Sequence, residues 1–172
     1  EHSYTFLDTS EGTVMLHINH FGEYSKYGHI YISDAEGLRY SQSQKYNVRS
    51  QDGQCDFEKV NSLEGLYISN VIDPEYMKDA ELEIEEEEMQ NSSMDGSNNG
   101  KKKINAVNDF ITTEISYNKG ATWHRLTAPE RDSLGRKYDC EHNCHLNLHG
   151  MSSNFPPFYS VDSAAGLIIG NG

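Results

Sequence analysis

Eight residues, SYNKGATW at 116–123, restrict the fold of this chain more than any other feature. Ser116 and Asn118 carry side chains that bond their own neighbouring backbone, which is why such residues populate tight turns. Gly120 follows where the turn needs a positive φ, a conformation that glycine adopts without a steric penalty. Thr122 and Trp123 then open a strand, with an indole large enough to cover the hairpin. The combination closes antiparallel strands and supplies no chemistry of its own.

The remaining sequence agrees with that reading. TVMLHIN (13–19), HIYISD (29–34), LYISNVI (66–72), FITTEIS (110–116), CHLNLHG (144–150) and GLIIGN (166–171) carry β-branched or aromatic residues in partial alternation. SEG, DAEG, QDGQ, NKGA and SLGR mark turns between them. A helical period is confined to 75–90. Short strands at this spacing predict an all-β sandwich, barrel or propeller. The 172 residues suit one domain. EHSYTFLD opens in a strand and GLIIGNG ends after one, so the expectation is a fragment of a longer chain.

One segment interrupts the strands. Residues 77–103, MKDAELEIEEEEMQNSSMDGSNNGKKK, run from acidic through polar to basic and have the composition of a flexible, solvated insertion at a hairpin tip. It holds a glycosylation sequon at Asn91. The formal charge of −13 argues against nucleic acid and against an anionic membrane surface as partners. No run approaches the length of a membrane span, so any membrane attachment is expected through segments outside this chain.

Of three cysteines, Cys140 and Cys144 stand four apart in CEHNC, with His142, His145 and His149 nearby. A structural zinc site wants two ligand pairs a dozen or more residues apart, and these are crowded into one short stretch. A small disulfide loop in an oxidising compartment fits the spacing better, and no metal or cofactor is expected. Cys55 reads as a buried free thiol.

The 116–123 stretch resembles the Asp-box of β-propeller blades, S-x-D-x-G-x-T-W, at four of five defined positions. Asn118 stands for the Asp. It keeps the acceptor that the turn needs and loses the charge that a metal or catalytic role would use. A fainter copy, SDAEGLRY (33–40), places Gly37 at the position of Gly120, 83 residues earlier. Without the insertion that interval is a little over fifty residues, about one blade of four strands.

Five segments in order carry a family resemblance: GHIYISDAEGLRYSQS, DFEKVNSLEGLYISNVI, EISYNKGATWHRLTAPE, CEHNCHLNLHG and SAAGLIIGNG. The chain resembles the luminal ten-bladed propeller of the sortilin family, and within it the fungal vacuolar sorting receptors. The resemblance implies a partial β-propeller over 1–172, about three antiparallel four-stranded blades, belonging to a single-pass receptor. Such a receptor binds peptide or protein cargo in the lumen of the late Golgi and carries soluble hydrolases to the endosome and vacuole. It also implies ligand contact by Tyr4, Thr5 and Phe6 on an inner strand and by Ser116. It matches Cys140 with Cys144 to a family disulfide, and it makes the remaining blades partners of this segment.

Two other functions are weighed. Sialidases also use Asp-boxes, but a glycoside hydrolase needs paired acids, and a carboxylate substrate needs an arginine cluster. Arg39, Arg49, Arg125, Arg131 and Arg136 form no obvious constellation, and the acids concentrate in the insertion. A purely structural blade segment differs from the receptor only in whether Tyr4, Thr5, Phe6 and Ser116 touch ligand. His124, His142, His145 and His149 add a possible pH-sensitive rim.

Overall fold

The computed structural model describes residues 3–22, 25–50, 53–78, 81–82, 110–138, 145–150 and 158–171. Strands β1 (Tyr4–Asp8), β2 (Met15–Ile18), β3 (Tyr27–Ser33) and β4 (Tyr40–Val48) form an antiparallel meander. Strands β5 (Phe57–Lys59), β6 (Tyr67–Ile72), β7 (Ile111–Ser116) and β8 (His124–Arg125) repeat it. Strands β9 (Phe158–Ser160) and β10 (Ile168–Gly170) make the first hairpin of a third unit. One bridge, Asn47 to Val71, joins β4 to β6. The described architecture is therefore two complete four-stranded blades and the opening of the next.

The opening hairpins are a sequence repeat that the strand pattern alone did not reveal. TFLDTSEG, EKVNSLEG and YSVDSAAG end on Gly12, Gly65 and Gly166. These glycines share one left-handed conformation, φ 76°, 75° and 78°. Only a residue without a Cβ takes that conformation cheaply, so the repeat is written in the turn. Counting back from the glycines, Tyr4, Phe57 and Phe158 hold the same place in three successive first strands, paired with residues 18, 69 and 170.

Blades meet face on. Met15 and Ile30 of the first blade close over Phe57 and Tyr67 of the second, with Leu7, Ile32 and Trp123 packed around them. On the far face of the second blade, Val60, Leu66, Ile68 and Ile115 pack against Ile168 of β10. Alternation of side chains along each strand makes this possible, because one strand supplies both neighbours. Tyr67 faces back and Ile68 faces forward. At the other end of the strands, Tyr27, Ile72 and Met77 form a third cluster. There Pro74–Tyr76 is a single 3₁₀ turn, capped by Asp73 accepting from the Glu75 N–H.

Some sequence expectations need correction. CHLNLHG is not a strand: among its described residues only His145 pairs, in an isolated bridge to Thr127. Its backbone is used instead by side chains of the second blade, with Asn70 donating to the Leu148 carbonyl and Thr113 Oγ1 accepting from the Leu148 N–H. The three-residue strands β5 and β9 escaped notice because they are too short to show alternation. Most of the insertion, 79–80 and 83–103, lies outside the described residues, as do Asn91, Cys140, His142 and Cys144.

Candidate functional site

The 116–123 turn folds as its chemistry dictates. Ser116 Oγ accepts from the Gly120 N–H at 2.9 Å and donates to Asn118 Oδ1 at 3.1 Å. Asn118 Oδ1 also accepts from the Thr122 N–H, and its amide donates to Thr122 Oγ1, both at 2.9 Å. The substitution of Asn for Asp therefore adds a donor that a carboxylate lacks. Gly120 sits at φ 82°, and a Cβ there would stand 2.8 Å from Met15 Cε and 3.0 Å from Ser43 Oγ. Both neighbours belong to the first blade. Ser43 Oγ in turn donates to the Gly120 carbonyl and accepts from Trp123 Nε1 at 3.0 Å. The box is thus a clasp from one blade to the one before it.

Hydrogen bonds also reset the register of the fainter copy. Asp34 Oδ1 accepts from the Leu38 N–H four residues on, as Asn118 does from Thr122. Asp34 therefore matches Asn118, and Gly37 matches Ala121 rather than Gly120. Asp132 makes a third turn of this kind, accepting from Arg136 N–H.

Ser116 was expected to share in ligand contact. Its side chain is fully buried and its hydroxyl is engaged within the turn, so its place is structural. Tyr4 and Phe6 are different. They project from the same face of β1 as a T-shaped pair, ring centres 5.7 Å apart, 66% and 62% exposed. Thr5 points the other way, to a hydrogen bond with the Cys55 thiol. Burial pushes that thiol up to about 11, which makes it unreactive. The structure thus brings Tyr4 and Phe6 together and leaves Thr5 and Ser116 elsewhere.

The blade junction carries polar groups that no local motif marks. Buried Asn47 donates to the carbonyls of Asp56 and Asn70 and to Ser69 Oγ, the last at 2.9 Å. Tyr67 donates to Asp8 Oδ2 at 2.8 Å, and Lys59 reaches Glu11 at 2.8 Å. His17 is 1% exposed beneath Gly28, where a Cβ would come within 2.5 Å of the imidazole. Burial, then the charge of Arg49, holds its pKa down at about 4, against the pull of a hydrogen bond to the Asn47 backbone.

The arginines make separate contacts. Arg125 pairs with Asp73 at 2.8 Å, Arg136 with Asp132 at 2.7 Å, and Arg131 donates to the Gly135 carbonyl. These three do not converge on a substrate carboxylate. Of the rim histidines, His124 is exposed, and His145 Nε2 lies 3.4 Å from Arg125.

A family model, Sortilin-Vps10, described as sortilin, neurotensin receptor 3, matches residues 1–172. The chain belongs to the Sortilin-Vps10 family. A vacuolar protein sorting/targeting protein 10 of Pyrenophora teres f. teres is 32% identical over 177 residues, covering 99% of this chain. One from Mycosarcoma maydis is 31% identical over 174 residues, again 99% of the chain. The vacuolar protein sorting/targeting protein PEP1 of Saccharomyces cerevisiae is 26% identical over 179 residues and covers 100% of it. In each case the match spans 10% of the relative, so this chain corresponds to about a tenth of their length. Within this family the four-stranded units are propeller blades, and the clasp at Ser116–Trp123 holds two Sortilin-Vps10 blades together.

Proposed function

We propose that this chain is a luminal, cargo-binding segment of a single-pass membrane receptor that carries soluble hydrolases from the late Golgi to the endosome and vacuole. The observation that carries the reading is the match of the whole chain to vacuolar sorting proteins, joined to an exposed aromatic pair on a first strand. Among the described residues strand β1 pairs on one side only, so Tyr4 and Phe6 stand beside backbone that no described strand pairs with. Aromatic anchors next to free backbone donors and acceptors suit an extended polypeptide. The segment binds cargo without catalysing a reaction, and the receptor's other blades complete it.

A second reading rests on Phe57. It occupies the place of Tyr4 one blade on and is buried against Met15 and Ile30 of the blade before it. A preceding blade covers Tyr4 in the same way if that reading holds. The two are separated by the Tyr4→Ala, Phe6→Ala double variant of the full-length protein. The receptor reading predicts that soluble vacuolar hydrolases are secreted several-fold more while the variant receptor stays folded and abundant. Correct sorting in cells lacking the protein altogether would reject the receptor function. Glycosidase turnover by the intact protein would reject the non-enzymatic reading.

A further inference from the structure

Strand β1 is held in place by the blade that follows it. Among the described residues it pairs with β2 alone, so no second strand fixes where its side chains stand. Its residues alternate: Tyr4 and Phe6 are exposed, and Thr5 is half-buried between them. A register shift between Phe6 and Asp8 then interrupts the alternation. Such a bulge re-aims the residues around it. Here Leu7 packs beside Met15 and Tyr67, and Asp8 also turns toward the second blade. Strands β5 and β9, the first strands of the next two units, pair without such a shift.

Two side chains take hold of β1, one on each side of Phe6. Tyr67 of β6 is fully buried, and its hydroxyl donates to Asp8 Oδ2 at 2.8 Å. Cys55, just before β5 and 8% exposed, meets Thr5 through a hydrogen bond. Thr5 points away from the face on which Tyr4 and Phe6 form their T-shaped pair, and so does Asp8. Asp8 also accepts from Ser10 N–H and Oγ on its other oxygen, and it is only half-buried. Without the Tyr67 hydroxyl its carboxylate stays bonded to Ser10 and open to water, so little is left unsatisfied. The Tyr67–Asp8 bond therefore does less for the fold than for the place of the strand. A strand already fixed in its binding position loses less freedom when a partner binds, which strengthens affinity.

We infer that Tyr67 and Cys55 are positioning residues for the Tyr4–Phe6 pair, touching no cargo themselves and holding β1 where both rings meet one extended polypeptide. The inference rests on the reading of that pair as the cargo contact. Binding of the full-length protein to a soluble vacuolar hydrolase, one that cells secrete when the gene is deleted, tests it in a mutant cycle. Tyr67→Phe and Cys55→Ala should each weaken binding at least threefold. Asp8→Asn, which keeps an acceptor for Tyr67, and Cys55→Ser, which keeps a partner for Thr5, should stay within twofold of the parent. In the Tyr4→Ala, Phe6→Ala background neither Tyr67→Phe nor Cys55→Ala should weaken binding further, whereas a general loss of structure acts in both backgrounds. If Cys55→Ala fails to fold, Tyr67→Phe decides. A folded variant with parental affinity, or an equal loss in both backgrounds, overturns the assignment for that residue and leaves the cargo contact standing. Parental affinity in the Tyr4→Ala, Phe6→Ala variant removes the cargo contact itself, and the positioning role with it.

Discussion

Tyr4 and Phe57 occupy the same place in successive blades, yet one lies in the open and the other is enclosed. Phe57 is covered by Met15, Ile30 and Trp123, within a junction that also carries the Ser116 clasp, the hydrogen bonds of the Asn47 side chain and the Lys59–Glu11 pair. Among the described residues Tyr4 has only Phe6 beside it as a ring partner. The lesson is that a blade's first strand supplies an aromatic anchor whose role is decided by what lies against it. Where a blade lies there, the anchor is core. Where none does among the described residues, the anchor is exposed.

The sharpest way to break this contrast is to truncate both rings. Phe57→Ala should cost about 3–5 kcal/mol, through lost burial and the cavity left behind. Tyr4→Ala should lie within about 0.5 kcal/mol of the parent, as surface changes do. Denaturation of each variant of the full-length protein measures both. Comparable losses would mean that Tyr4 is also enclosed.

Acid also probes the closed side, through His17. His17 titrates near 4 in the fold and near 6.5 when unfolded, so the unfolded chain takes up the proton first. The junction's stability is then complete above about pH 6.5, falls as pH drops toward 4, and levels off below it. The ceiling of that loss is about 3 kcal/mol. His17→Asn should remove this portion of the pH slope; a slope that persists unchanged assigns it to other groups. A smaller loss, about 2 kcal/mol, is expected for Gly120→Ala, which forces a Cβ at positive φ against Met15 and Ser43. Smaller again is the loss for Asn118→Ala, about 1 kcal/mol, since exposed turn bonds are lost and no cavity forms. Thermal denaturation ranks these two, and reversal of the order would remove the clasp from the junction.

Much of this was legible beforehand, for identifiable reasons. The clasp could be read because its offsets are local: the side-chain bonds of Ser116 and Asn118 fall within four residues. The all-β character followed from the longer runs such as LYISNVI and FITTEIS, which became β6 and β7. Long-range consequences were not legible. Nothing local to Gly120 reveals that Met15 and Ser43 approach it. Nor does anything local to Ser116 reveal that it is fully buried. CHLNLHG has strand composition, but Asn70 and Thr113 claim the backbone at Leu148, and a strand does not form. The misaligned copy at 33–40 shows a related limit: matching glycines is less reliable than matching the acceptor, Asp34 or Asn118, that organises the turn.

The most direct measurement is the affinity of the full-length protein for a sorted soluble hydrolase, compared between the parent and the Tyr4→Ala, Phe6→Ala variant, with the thermal midpoint of each. The account predicts affinity at least tenfold weaker with the midpoint unchanged. Unchanged affinity, or a midpoint lowered as far as that of Phe57→Ala, would contradict it.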